Sequence, residues 1–382
     1  MMAEAGNWAI RLPQPIRRIC RTFPPHKVVF GFVELIITIS NMNTELSPKN
    51  RMRQSPFRKM ASAAGMLALL LPSFLATLSI PAQADEISVT QWGNSLYGLP
   101  YAVAMEQGLF KKAGVDITGI LSSGGGGTTV RNILASPTPY GEVAIAAALA
   151  AQREGLDVLI VNTGTRSVAE SSVVTMPGSA VKSVADLAGK KVAITSPKGV
   201  SEMLLLMVLK EKGIDATKTT RVASGGYVNS LTMLEQGAVA AAALIEPLSI
   251  IRKDKYRTLY KTGDILQPMT TSVGITTRKF AQESPQKLRA IIAGRRAGVD
   301  ALYANPAAAA KILERDFKLT PPVAKEAVDN MIKAHMWSRG EFSQPELDRM
   351  IGGLRLTGEV KGNVDWRTLV NADYLPADLK GK

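Results

Sequence analysis

Three stretches of this 382-residue chain recur in the same order about one hundred residues further on, and that constrains the fold more than any single motif. Phe110-Lys-Lys-Ala-Gly-Val-Asp-Ile-Thr118 matches Leu209-Lys-Glu-Lys-Gly-Ile-Asp-Ala-Thr217 at an offset of 99. Ser123-Gly-Gly-Gly126 matches Ser224-Gly-Gly226 at nearly the same offset, and Gly141–Leu149 matches Gly237–Leu244 at 96. The slip falls on Ser136–Tyr140, a Pro-containing loop where length changes are tolerated. One such match carries little, because Gly-Val-Asp after a helix is common in α/β chains; three in one order carry more. A period near 100 is too long for a solenoid repeat and fits two similar halves.

Within each half, short β-branched runs alternate with helical patterns. Ile87–Gln91, Val115–Ile120, Val143–Ala146 and Val158–Asn162 read as strands, and Thr128–Leu134 as a helix. Gly98-Leu99-Pro100 opens another helix, since Pro in the first turn wastes no hydrogen bond, and Gly108 stops it. This alternation implies parallel sheets covered on both faces. The expected fold class is α/β, with two doubly wound lobes. Val173–Thr175 and Thr271–Thr277 read as two strands crossing between them. Lobe one is then residues 85–174, lobe two 175–270, and 271–382 returns to lobe one. Four helices follow, over Pro285–Tyr303, Pro306–Phe317, Pro321–Trp337 and Gln344–Leu354; they are expected to cover lobe one and continue across the hinge. The tail from Trp366 to Leu379 reads as irregular.

The first 84 residues fall outside this grammar. Arg53, Arg58 and Lys59 precede an apolar run from Met60 to Ile80, and Pro81-Ala82-Gln83-Ala84 offers small residues for cleavage before Asp85. A basic start, an apolar middle and an A-x-A end make residues 52–84 a secretory signal peptide, cut after Ala84. A membrane anchor is the alternative, disfavoured by Pro72, Ser73, Thr77 and Ser79. Residues 1–51 lack organised periodicity and read as a disordered extension from a start codon called too early; Arg17-Arg18 is poorly placed for a twin-Arg signal. Ten of the 46 basic and three of the 32 acidic residues precede Asp85, so the net charge of +14 falls to +7 for the remainder. Those charges are scattered, and no motif supports nucleic-acid binding.

Composition also narrows the chemistry. The single Cys20 lies upstream of Asp85, and only His335 of the two histidines lies beyond it. That disfavours a metal centre, a disulfide framework or a thiol enzyme, and no cofactor is expected. The glycine run Gly124–Gly127 lacks the Lys-Ser/Thr of a phosphate-binding loop, the dinucleotide fingerprint is missing, and so is a G-x-S-x-G elbow. His335 reads as packing or a helix-end charge. Ligands of doubly wound sheets sit beyond the carboxyl ends of the strands. There this chain offers Trp92–Tyr97, Ser122–Thr129, Ser196–Ser201, Ala223–Tyr227 and Glu246-Pro247. Glycines permit backbone approach, hydroxyls donate, and helix N-termini leave free N–H groups. Each loop alone is also consistent with a turn and a cap. Glu246, the one acid in Ala238–Ile250, reads either as a helix-start carboxylate or as a cleft residue orienting a ligand. Arg166 reads either as a ligand-carboxylate partner or as a surface arginine.

Leu99-Pro-Tyr-Ala-Val-Ala-Met-Glu-Gln-Gly-Leu-Phe-Lys-Lys-Ala-Gly-Val-Asp116 resembles the opening of periplasmic solute-binding proteins of the nitrate/sulfonate/taurine class, a group that includes binders of pyrimidine precursors. Asp186–Ser196, Leu234–Ala242 and Glu246-Pro247 resemble their second lobe. The likeness covers roughly residues 87–310. It implies a ligand held between two lobes and delivered to a membrane permease driven by a separate cytoplasmic ATPase. It implies pocket roles for Ser95, Tyr97 and Gly98; for Gly125, Gly126, Thr128 and Ala147; and for Ser196, Gly199, Ser201, Gly226, Tyr227 and Glu246. A periplasmic monomer without catalysis is expected, binding a small polar or anionic molecule. The competing expectation is an enzyme of the same fold acting on a pyrimidine precursor. A regulator's effector domain is disfavoured by the export signal.

Overall fold

The computed structural model describes residues 85–381. The expected extension, signal peptide, Ala84 cleavage and Cys20 lie outside these described residues. The first elements alternate as β1 (Asp85–Thr90), α1 (Leu99–Glu106), α2 (Leu109–Lys112), β2 (Ile117–Ser123), α3 (Gly126–Ala135), β3 (Tyr140–Ala144), α4 (Ile145–Arg153) and β4 (Leu159–Thr165). The chain continues through β5 (Ser171–Thr175), β6 (Lys191–Ile194), α5 (Val200–Glu211), β7 (Thr220–Ala223), α6 (Tyr227–Glu235), β8 (Ala241–Ile245), α7 (Leu248–Ile251) and β9 (Arg257–Lys261). It returns on β10 (Ser272–Thr276) and ends in helices α8 (Arg278–Glu283), α9 (Pro285–Ala304), α10 (Pro306–Asp316), α11 (Pro321–Lys333), α12 (Gln344–Leu356) and α13 (Trp366–Leu369).

Two five-stranded sheets result, ordered β2-β1-β3-β10-β4 and β7-β6-β8-β5-β9. Each is parallel through its first three strands, then takes in one antiparallel strand that arrived from the other lobe. β5 enters the second sheet and β10 returns to the first, so the fold is two doubly wound lobes joined by two crossing strands. The two strand orders correspond, β1 to β6, β2 to β7, β3 to β8, β10 to β5 and β4 to β9. Gly114 and Gly213, paired by the first sequence match, both end a helix with positive φ (+93° and +66°), a conformation that costs glycine little.

The third sequence match is misregistered. β3 at Tyr140–Ala144 is equivalent to β8 at Ala241–Ile245, an offset of 101, the same as between the α3 and α6 starts at Gly126 and Tyr227. Gly141 lies within β3, whereas Gly237 ends α6, so no slip occurs at Ser136–Tyr140. The strand expected at Val143–Ala146 ends at Ala144, and Ile145 begins α4 without a break. An alanine run has no polar rhythm to mark that change.

The C-terminal helices tie the lobes together. α9 lies against α1, and a Cβ on Gly298 would sit 2.1 Å from the Pro100 carbonyl oxygen. α12 packs on α5 of the second lobe, where a Cβ on Gly353 would be 2.5 Å from Met207 Sδ. One apolar cluster accordingly runs from Ile133 of α3 and Val143 of the first sheet to Val192, Met203 and Leu347. The expected irregular tail is a series of short turns, α13 and single 3-10 turns at Ala372–Tyr374 and Ala377–Leu379. Among the described residues no helix is long and apolar enough to cross a membrane.

Behind the first sheet sits a buried ion pair. Arg295 of α9 and Glu142 of β3 are 1% and 0% exposed, with Nε 3.1 Å from Oε2. Arg295 also donates to the carbonyls of Ser338 (2.8 Å) and Gly164 (2.7 Å), and the Ser272 hydroxyl donates to Glu142 at 2.6 Å. Every charge in this knot is matched, which is the condition for burying it.

Candidate functional site

Tyr97, Tyr227 and Glu246 gather around a fourth residue, Glu170, which begins the crossing into β5. Glu170 is 5% exposed, and its Oε2 has no hydrogen-bond partner among the described residues. The backbone explains its position. Ser171 pairs with Ile245 in the β5–β8 ladder, and the Glu246 N–H donates to the Glu170 carbonyl at 2.8 Å. The ends of β8 and β5 thus bring two acids side by side where the lobes meet.

Their electrostatics follow from that placement. Burial raises the Glu170 carboxyl to about 8; Glu246 adds to the rise and a hydrogen bond with Tyr97 opposes it. Burial lifts Glu246 to about 7, opposed by Asn330 and Lys261. Asn330 of α11 donates to both Glu246 oxygens, at 3.0 and 3.1 Å, so a first-lobe helix grips a second-lobe carboxylate. Burial holds the Tyr97 phenol well above the usual tyrosine range, with Glu170 next in weight and Tyr227 after it. Tyr227 is raised by burial and then by Glu170. A tyrosine from each lobe and a hinge carboxyl therefore form one coupled group. A cavity of about 300 Å³ beside it is lined by Ser167, Glu246, Lys261, Leu266, Asn330 and Met331. A smaller one of about 70 Å³ touches Glu170, Ser172, Glu246 and Asn330.

The other expected pocket residues serve local structure or open surface. Ser95 accepts from the Tyr97 N–H at 3.5 Å and shapes the Leu96–Gly98 turn that carries Tyr97. A Cβ on Gly98 would lie 2.6 Å from the Trp92 ring, and one on Gly199 2.5 Å from Ser196 Oγ, so both glycines serve packing. Gly126 and Ala147 meet each other: a Cβ at 126 would be 2.5 Å from the Ala147 methyl, where α3 crosses α4. Ser201 is buried, and its hydroxyl accepts from the Thr195 N–H at 2.9 Å. Thr128 is exposed and accepts from Arg131 at 3.1 Å; Ser196 is exposed. Gly125 and Gly226 occupy equivalent N-cap positions, on α3 and α6, with no atom within 4 Å of an added Cβ at Gly226 or Gly125. Arg166 is engaged by Glu346 and Glu341, so the surface-arginine reading fits it better than a ligand partner. His335 stacks on Tyr303, with ring centroids 6.2 Å apart.

Sequence reasoning passed over Glu170, although a signal was there. It is the only charged residue between Arg166 and Lys182, as Glu246 is between Glu235 and Arg252. A lone acid in an uncharged run at the point of lobe crossing has few places to go but the gap.

The family model described as NMT1/THI5 like matches residues 96–309, from the turn carrying Tyr97 through the middle of the C-terminal helices. The chain belongs to the NMT1/THI5-like family. Solved structures share its fold at low identity. The periplasmic aliphatic sulphonate binding protein SsuA from Escherichia coli is 19% identical, with a TM-score of 0.60 over 75% of this chain and 88% of that one. The periplasmic nitrate-binding protein NrtA from Synechocystis PCC 6803 is 12% identical, with a TM-score of 0.62 over 76% and 86%. A DszB variant in complex with biphenyl-2-sulfinic acid is 12% identical, with a TM-score of 0.59 over 76% and 98%. No curated protein matches. The NMT1/THI5-like chain thus has the periplasmic binding protein fold, and its Glu170 group lies at the interlobe position that this fold creates.

Proposed function

We propose that this NMT1/THI5-like chain is the extracytoplasmic substrate-binding component of an importer. It holds a small polar molecule between its lobes and passes it to a membrane permease driven by a separate ATPase. Residues 85–170 and 271–382 form one lobe in this reading and 171–270 the other, four residues earlier than the boundary expected from the sequence, because β5 pairs within the second sheet. The protein is exported by residues 52–84, cut after Ala84, and works as a monomer. The observation that carries the reading is the convergence of Tyr97 from one lobe and Tyr227 from the other on Glu170 at the crossing, whose Oε2 has no partner among the described residues. A ligand touching both lobes stabilises the closed arrangement over an open one, and that differential affinity is the whole mechanism.

The test is a thermal-shift screen of residues 85–382 against sulfonates, carboxylates, pyrimidines, amines and oxyanions, followed by small-angle scattering of any hit. A ligand at 100 times its Kd adds about 2.7 kcal/mol of stability. The expected hit lowers the radius of gyration and is lost in Tyr97→Ala and Tyr227→Ala. A second reading, an enzyme of this fold acting on a pyrimidine precursor, draws support from the raised Glu170 carboxyl, a titratable group in the gap. Mass spectrometry of the recovered ligand separates the two: an unchanged mass favours transport, conversion favours catalysis.

A further inference from the structure

We infer that Glu170 anchors the ligand, and that the group presented to it is a cation or an N–H donor of the amine or amidine type rather than an oxyanion. This deepens the interlobe-binding reading and rests on it. Buried polar atoms are almost always satisfied, yet Glu170 Oε2 is buried without a partner among the described residues. Among the described residues no lysine or arginine forms an ion pair with it. Arg166, nearest in sequence, is held by Glu341 and Glu346, and Lys253 is paired with Glu326 at 2.7 Å. Lys261 is exposed and acts on Glu246.

The second carboxyl adds to the preference. Glu246 accepts from Asn330 through both oxygens and has no donor of its own when ionised, so it adds negative potential beside Glu170. An oxyanion placed here would lie beside the Glu246 carboxyl and would rely on the Glu170 proton as its donor. A cation or an N–H donor would find a carboxyl oxygen with no partner among the described residues.

The two options differ in proton traffic. At pH 7 a carboxyl titrating near 8 is about nine-tenths protonated, so pairing with a cation expels up to about 0.9 proton. An oxyanion accepting from the neutral carboxyl expels none. Benzamidinium and benzenesulfonate, matched rings of opposite charge, are the probes. Calorimetry at pH 7 in two buffers of different ionisation enthalpy, on wild type and Glu170→Gln, gives affinity and proton release together. Ligand-free melting at pH 5 first verifies that the variant is folded. Benzamidinium is expected to bind at least tenfold more tightly than benzenesulfonate, to release protons, and to lose at least tenfold in affinity together with that release in Glu170→Gln. Tighter binding of benzenesulfonate, an affinity for benzamidinium unmoved by Glu170→Gln, or no benzamidinium binding at millimolar concentration overturns the assignment.

The parent reading fails separately. If benzenesulfonate binds, compacts the molecule and is weakened by Tyr227→Ala, the interlobe site stands and only the charge assignment falls. If a bound probe leaves the radius of gyration unchanged and is indifferent to both tyrosines, the interlobe site itself is wrong.

Discussion

Glu170→Gln offers a test of the buried carboxyl that needs no ligand. The group titrates near 4.5 when free and at about 8 in the fold. The folded state therefore binds its proton more tightly than the unfolded state does. Its contribution to stability is complete below about pH 4.5 and is lost as pH rises through about 8, the opposite of a salt-bridged carboxylate. At about 1.36 kcal/mol per pH unit the whole span is about 5 kcal/mol; about 2.5 falls between pH 5 and 7, and about 1.4 more between pH 7 and 9. Glutamine keeps the shape of the neutral acid and does not titrate. At pH 5 the two proteins should agree within about 1 kcal/mol, and by pH 9 the variant should be the more stable by about 4 kcal/mol. The assay is urea denaturation from pH 5 to 9, plotted as the difference between the two proteins. Glu246 and every other titrating group are present in both, so the difference reports Glu170 together with its interaction with Glu246 and the two phenols. Parallel curves would refute the account, because Glu170 would then titrate alike in the folded and unfolded chain.

Three further outcomes follow from the packing. Arg295→Met strands Glu142 in the core and should cost about 3–5 kcal/mol in chemical denaturation, with Arg295→Met/Glu142→Gln recovering part of the loss. Gly126→Val should cost about 1–3 kcal/mol by crowding Ala147, and Ala147→Gly in the same chain should restore most of the melting temperature. Gly125→Ala, with open space around it and an extended φ of −172°, should change stability by less than about 0.5 kcal/mol, as a thermal melt would record.

What could be read in the sequence follows from how each feature is encoded. The two lobes and their crossing strands were legible because strand, helix and glycine stop recur locally, and Gly114 and Gly213 mark the same helix end in both copies. The third repeat was misread by five residues because Ala144–Ala148 and Ala240–Ala243 are nearly featureless, and composition alone slides along them. The pocket was legible only as a set of loops. Which loop residues face the gap depends on contacts between segments far apart in the chain: Gly126 is spent on Ala147, Arg166 on Glu346, and Glu246 on Asn330 of a helix 84 residues later. Glu142 carries the same lesson, since the partner that makes it a core residue lies 153 positions away. Glu170 was the recoverable omission. An acid alone among uncharged neighbours, at the crossing between two lobes, must either meet a cation or stay protonated. With Arg166 held by Glu341 and Glu346, the fold alone leaves Glu170 protonated, and the proposed cationic ligand would supply the missing partner.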